Sequence, residues 1–173
     1  RRAHGKGAQG AMSDPLLVVE DLRTQFRTRR GVVTAVDGVS FAIDKGEILA
    51  LLGAGGAGSA IAHAALRMGV KHLTIVDSDA PRASALAESL NALYGAGRVG
   101  SSTDPAQALE GASGLVHATP TGMAKLPGLP LPEPLLRPDL WVSEVVYFPL
   151  ETALLKAARA RGSRGHRPSR LRG

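Results

Sequence analysis

Three glycines and one acid have the spacing of a site that holds a dinucleotide. Gly53, Gly55 and Gly58 form the pattern G-x-G-x-x-G after an apolar run, and Asp77 ends the next apolar run. The first glycine permits a tight turn, the second lets the main chain approach a pyrophosphate, and the third allows close packing of the following helix. The predicted loop contacts to the nucleotide are Gly53, Ala54, Gly55, Gly56, Ala57 and Gly58.

The groups around these glycines have complementary chemistry. A helix predicted over 59–68 would present unpaired N–H groups and the positive end of its dipole to phosphates. Asp77 lies at the end of the strand predicted over 73–76, where a carboxylate accepts hydrogen bonds from ribose hydroxyls and repels a 2′-phosphate. The sequence therefore predicts nucleotide binding with NAD preferred over NADP.

Strands and helices alternate from the glycine loop onward, which is typical of a parallel sheet. We expect a Rossmann-like α/β domain over 47–162, with helices on both faces of the sheet. The remaining predicted helices span 81–94, 105–109 and 151–160, and the remaining strands lie near 98–99 and at 115–118 and 140–146. The stretch 119–138 is rich in proline and is predicted to be mostly loop.

The segment before this domain has a different pattern. Residues 15–46 contain short apolar runs with turn signals between them, which predicts an antiparallel β extension. Its predicted strands span 16–20, 24–26, 32–36 and 39–43. This extension is expected to cover an edge of the parallel sheet. Residues 1–14 and the basic tail 163–173 are predicted to be disordered.

Composition excludes several classes of function. The 173 residues include no cysteine, so neither a disulfide framework nor a thiolate metal site is expected, and no metal site of another kind is predicted. Cytoplasmic location is the expectation, and no apolar run is long enough for membrane insertion. The net charge of +6 is concentrated at the two chain ends without interleaved aromatics. A specific nucleic-acid partner is therefore not expected.

Residues 53–162 resemble the C-terminal cofactor domain of the shikimate/quinate dehydrogenase family. The resemblance rests on GAGGAGSA at 53–60, VDSDAPRA at 76–83, HATPTGM at 117–123 and the segment 141–162. It implies hydride transfer between shikimate or quinate and a nicotinamide cofactor. Which of the two polyols is used, and the oligomeric state, stay open.

The resemblance also implies roles for individual residues. Asp77 and Arg82 would flank the adenosine, as in the branch of the family that uses NAD. Thr119, Met123 and Val145 would contribute to the cofactor site, and the Tyr147 hydroxyl would reach the substrate. His117 and Glu144 replace the usual asparagine and aspartate of these motifs, and His117 is expected to be a hydrogen-bonded residue without a catalytic role.

Residues 12–53 resemble a different family, the ATPases of peptide-importing ABC transporters, through LLVVEDLRTQF and GVVTAVDGVSFAIDKGEILALLG. The two resemblances meet at Gly53, which suggests a chimera. The phosphate loop of such an ATPase would require lysine and then serine or threonine, where Ser59 and Ala60 stand. ATP hydrolysis is therefore not expected.

No catalytic residue is predicted in this chain. The resemblance implies that a separate substrate domain supplies the lysine and aspartate that move the proton, and the transporter-like segment stands in its place. We expect the chain alone to bind NAD and to be catalytically incomplete. The alternatives are a non-catalytic NAD-binding module, a transporter ATPase fragment and a basic nucleic-acid binder.

Overall fold

The protein is described by a computed structural model that covers residues 15–28, 31–44 and 46–165. Its elements form one two-stranded sheet and one six-stranded sheet with flanking helices. The strands are β1 (Pro15–Thr28), β2 (Gly31–Asp44), β3 (Ile48–Leu52), β4 (His72–Val76), β5 (Val99–Ser102), β6 (Gly114–His117), β7 (Trp141–Glu144) and β8 (Arg164–Gly165). The helices are α1 (Gly56–Arg67), α2 (Ala80–Tyr94), α3 (Pro105–Leu109) and α4 (Ala153–Ala160).

The six-stranded sheet is parallel throughout, in the order β5-β4-β3-β6-β7-β8. The chain runs outward from β3 to β4 and β5, and then crosses back to place β6 on the other side of β3. Such a reversal of direction leaves a crevice at the carboxyl ends of the two central strands. The predicted Rossmann-like parallel sheet is confirmed.

Two aliphatic clusters cover the two faces of this sheet. Alternate residues of β3 point to opposite sides, so Leu49 and Leu51 pack with α1 and α2, while Ala50 and Leu52 pack with α3 and α4. Burial on both faces explains why the central strands are continuous apolar runs instead of alternating ones. No helix in the described part of the chain is long and apolar enough to cross a membrane.

The predicted antiparallel extension is present as the pair β1–β2. Four strands were expected, but the structure has two long ones, because Asp37 and Gly38 stand opposite the single residue Arg23 as a bulge and do not end the strand. The pair forms a sheet of its own and is not hydrogen-bonded to the six-stranded sheet. It therefore does not extend an edge of the parallel sheet.

Two other expectations need correction. The first helix begins at Gly56 instead of residue 59, because the N–H of Ser59 already bonds to the carbonyl of Gly55. The start predicted for the disordered tail, residue 163, is too early in the chain. Ser163 is buried, and β8 pairs with Trp141 and Val142 of β7. This pairing uses main-chain groups alone, so no apolar periodicity signals it. Residues 1–14 and 166–173 lie outside the described residues.

Candidate functional site

Main-chain atoms at close approach build the glycine loop. Gly53 has φ +107°, and its N–H donates to the carbonyl of Val76 at 2.7 Å. A β-carbon at Gly58 would lie 1.8 Å from the Gly53 carbonyl oxygen. No other residue fits at position 58 without displacing the loop. This geometry contains the tight turn and the close helix packing that the sequence predicts for the first and third glycines.

The outer side of the loop is open. Gly55, Gly56 and Ala57 are exposed, and a β-carbon at Gly55 would meet nothing within 4 Å. No side chain caps the start of α1, and its first turn contains no acid. The first N–H groups of a helix have no partner within the helix. This end of α1 is thus electrostatically suited to a phosphate.

Asp77 is almost fully buried directly beside the loop, with 7% of its surface exposed. Its Oδ2 accepts from the N–H of Ala54 at 2.8 Å, and its Oδ1 accepts from the N–H of Asp79 at 3.0 Å. Arg82 donates to both oxygens, at 2.6 Å to Oδ1 and 3.3 Å to Oδ2. Burial by itself raises the pKa of Asp77, but the hydrogen bonds from Arg82, Ala54 and Asp79 outweigh it and lower that pKa to about 2.

Ala54 has a different environment from its neighbours in the loop. It is buried, and its N–H donates to Asp77 instead of pointing to the open side. The contact joins residues 23 positions apart, so the loop motif alone does not reveal it. Within the predicted set, Ala54 therefore holds Asp77 in place.

A crevice of about 560 Å³ joins these features. Of the predicted site residues, it is lined by Gly53, Gly55, Asp77, Arg82 and Thr119. Its volume falls in the range of roughly 300–1,000 Å³ that is usual for small-molecule sites. Asp77 follows β4 on one side of the loop and Thr119 follows β6 on the other, so an elongated ligand would cross the loop between them.

A buried chain of hydrogen bonds supports the β6 side. His117 is fully buried, with Nδ1 2.8 Å from Glu144 Oε1 and Nε2 2.5 Å from Thr119 Oγ1. Glu144 Oε1 also accepts from the N–H of Val146, and its Oε2 accepts from the Thr152 hydroxyl at 3.0 Å. The expectation that His117 is a hydrogen-bonded residue is confirmed.

Sequence reasoning missed Thr152, which is buried and caps the start of α4 through the N–H of Leu155. A threonine before an apolar helical run signals a cap. Nothing in the sequence signals its bond to Glu144.

Seven of the twelve predicted residues lie outside the lining of this crevice. Four of them belong to the glycine loop itself, namely Ala54, Gly56, Ala57 and Gly58, and the other three follow β6 and β7. Met123 is half-buried in the turn after Thr119, and Val145 is bonded through its N–H to the carbonyl of His117. Tyr147 is 71% exposed in the loop after β7. The structure thus places these three at the β6–β7 end of the sheet without joining them to Asp77 and the glycine loop.

Comparison with known proteins gives a consistent result. No family model matches the chain. Shikimate dehydrogenase (NADP(+)) of Streptomyces avermitilis is 57% identical over 113 residues, which are 64% of this chain and 39% of that protein. Quinate dehydrogenase of Corynebacterium glutamicum in complex with NAD superimposes with a TM-score of 0.65 at 40% identity, covering 69% of this chain and 44% of that chain. The comparisons support assignment of this chain to the shikimate/quinate dehydrogenase family.

The match to the shikimate/quinate dehydrogenase family is partial in length. Quinate/shikimate dehydrogenase (NAD(+)) of Corynebacterium efficiens is 36% identical over 167 residues, covering 92% of this chain but 57% of that protein. An alignment of that extent includes residues before Gly53. The chain spans roughly two fifths to three fifths of the length of these relatives. None of these three relatives is a transporter ATPase.

Proposed function

We propose that residues 47–162 bind NAD as the cofactor domain of a shikimate or quinate dehydrogenase. The observation that carries this proposal is the position of Asp77, a buried carboxylate beside an open glycine loop and a helix start without a cap. The closeness of Gly58 to Gly53 keeps that loop in the shape that leaves its outer side free. The residues present therefore fit a dinucleotide.

The choice between NAD and NADP follows from the charge at Asp77. Its pKa of about 2 keeps it ionised at neutral pH, so it attracts ribose hydroxyls and repels a 2′-phosphate. Arg82 opposes this preference, because a guanidinium pairs readily with phosphate. Since Arg82 is already paired with Asp77, we propose that NAD is preferred and that NADP binds more weakly.

The bound cofactor would supply the hydride chemistry. The role proposed for this chain is to hold the dinucleotide at the glycine loop through the main chain of residues 55–58, to select its ribose at Asp77, and to position its second half at Thr119. Met123 and Val145 are proposed to lie near the nicotinamide and Tyr147 near the substrate, on the resemblance of 117–123 and 141–162. The substrate would be shikimate or quinate.

Turnover requires a group that moves the proton of the reacting hydroxyl. No residue in the described part of the chain is assigned that role, so we propose that this chain alone turns over little or no substrate. The proposed location is the cytoplasm. An absorbance assay with shikimate or quinate and NAD tests the first point, and robust turnover would contradict it.

Calorimetric titration of the chain with NAD, NADP and ADP tests the binding proposal. We expect NAD to bind more tightly than NADP, and Asp77→Asn to reduce that difference because it removes the charge. Asp139→Asn is the matched control, since Asp139 lies on the surface away from the crevice. Equal binding of NAD and NADP by the unmodified chain would contradict the proposed preference.

We also propose that residues 12–53 derive from a transporter ATPase, on the resemblance of LLVVEDLRTQF and GVVTAVDGVSFAIDKGEILALLG alone. Binding of a nucleoside triphosphate is the weaker candidate function, because Ser59 and Ala60 stand where lysine and a hydroxyl are needed. Titration with ATP and magnesium tests this alternative. Binding of ATP tighter than that of NAD would favour it.

A further inference from the structure

The chain of bonds from Glu144 through His117 to Thr119 reaches the crevice from a fully buried position. His117 has none of its surface exposed, and the Glu144 side chain is 2% exposed. Thr119 is half-buried and lines the crevice. The state of the two buried groups therefore decides what the Thr119 hydroxyl presents to a ligand.

Glu144 acts as an acceptor in every contact found for it. Thr152 uses its hydroxyl oxygen to accept from the N–H of Leu155, so its proton is available for Glu144 Oε2. Glu144 Oε1 accepts from the N–H of Val146 and faces His117 Nδ1. An acceptor opposite Nδ1 requires that this ring nitrogen carries a proton.

The second ring nitrogen then determines the direction of the last bond. The tautomer of His117 that carries its proton at Nδ1, toward Glu144, has an unprotonated Nε2. Thr119 must then donate its only hydroxyl proton to Nε2. One lone pair of Thr119 Oγ1 accepts from the N–H of Thr121 at 3.3 Å, and the other stays available.

We propose that Glu144 and His117 are positioning residues that make the Thr119 hydroxyl a pure hydrogen-bond acceptor at the crevice. Thr119 then selects an O–H or N–H donor in the half of the dinucleotide beyond the pyrophosphate. This inference rests on the proposed function. A ribose hydroxyl and a carboxamide N–H share the required chemistry, whereas a phosphate or carboxylate offers no donor and is disfavoured.

Titration of the full chain with ADP, ADP-ribose and NAD measures this effect. The gain in affinity from ADP to NAD measures how much the second half of the dinucleotide contributes to binding. We expect Thr119→Val to reduce this gain about tenfold, the size of one net hydrogen bond, and to leave the affinity for ADP unchanged. A loss at the step from ADP to ADP-ribose identifies the ribose hydroxyl as the donor, and a loss at the step to NAD identifies the carboxamide.

Matched variants separate positioning from folding. Thr119→Ser keeps the hydroxyl and is expected to preserve the gain. Thr74→Val makes the same change at a half-buried threonine of β4 outside the crevice and should also preserve it. His117→Phe keeps a ring of similar size but offers Thr119 no acceptor, so we expect it to reduce the gain without abolishing ADP binding. An unchanged gain in either Thr119→Val or His117→Phe would overturn the proposal.

Nitrogen NMR of His117 in the free chain provides a readout that does not depend on a ligand. The proposal requires one protonated nitrogen at Nδ1 and one unprotonated nitrogen at Nε2. An imidazolium, or a proton on Nε2 alone, would overturn it, because Thr119 would then be free to donate. Failure of the proposed function is a different result, in which the unmodified chain binds neither ADP nor NAD.

Discussion

At the carboxyl end of β4, Asp77 is paired with Arg82, which is 51% exposed, whereas at the carboxyl end of β6, His117 is paired with a glutamate that is almost entirely buried. Because Arg82 is largely exposed, a ligand hydroxyl can join or replace it at Asp77 with little disturbance of the core. The Glu144–His117 pair has no such freedom, because α4 is tied to it through Thr152. The first region is thus suited to recognition by exchange of partners, and the second to fixed orientation.

Gly58→Ala should disturb both regions, because the glycine loop lies between the end of β4 and the end of β6. The added β-carbon would lie 1.8 Å from the Gly53 carbonyl oxygen, so the loop or α1 must move. We expect a loss of about 3 kcal/mol in the free energy of unfolding and loss of both ADP and NAD binding. Urea denaturation and titration measure these effects.

Gly56→Ala is the matched control for stability, since a β-carbon at that position meets nothing within 4 Å. It is expected to leave the free energy of unfolding unchanged or to raise it by up to about 1 kcal/mol. Equal destabilisation by the two changes would contradict the close-packing explanation.

Asp77→Ala tests the β4 side alone. It removes the acceptor for Ala54, Asp79 and Arg82 and leaves the buried Ala54 N–H without its partner. We expect ADP and NAD to bind about tenfold to a hundredfold more weakly, by similar factors, because both contain the adenosine ribose. Calorimetry with the two ligands checks this equality.

Asp79→Ala is the control for that experiment. Asp79 caps α2 through the N–H of Arg82, and its loss should cost about 1 kcal/mol of stability with a much smaller loss of affinity. If Asp79→Ala weakened binding as much as Asp77→Ala, the assignment of Asp77 as the ribose acceptor would be wrong.

The pH dependence of stability sharpens the same comparison. The folded-state pKa of Asp77, about 2, lies below its ordinary value of 3.8. Its stabilising contribution is therefore fully present above about pH 4 and is lost as the pH falls toward 2. Allowing for solvent around Arg82, we expect about 1–2 kcal/mol. Denaturation at pH 4.5 and pH 2.5 should show this loss in the unmodified chain and less of it in Asp77→Asn.

Tyr147→Ala should have the smallest effect. Its side chain is 71% exposed in the loop after β7, outside both hydrogen-bonded regions. We expect a change of less than about 0.5 kcal/mol in the free energy of unfolding and no change in NAD affinity. A large loss of NAD affinity would place this loop closer to the dinucleotide than the lining of the crevice indicates.

The sequence predicts the β4 side well and the β6 side poorly, for a physical reason. The glycine spacing and an acid at the next strand end are local features with defined chemistry, so Gly53, Gly58 and Asp77 were identifiable in advance. The bond between His117 and Glu144 depends on the register of β6 beside β7, across 27 residues. Spacing along the chain does not encode such a register.

The glycine loop was itself predictable only in part. The start of α1 at Gly56 was not expected, because glycine is a poor helix former and the apolar pattern begins later. The bond from Ala54 to Asp77 likewise arises from tertiary packing. The strand β8 has two residues and no side-chain pattern, so only its pairing with β7 reveals it.

The contact between positions 53 and 58 has a consequence for variation in this chain. The distance between α1 and the end of β3 is set by direct main-chain contact between the Gly53 carbonyl group and Gly58, with no side chain between them. Substitutions in the aliphatic layers can therefore change how firmly the helix is held without changing how near it comes to the strand. The dimensions of the glycine loop therefore depend little on which aliphatic residues fill the core.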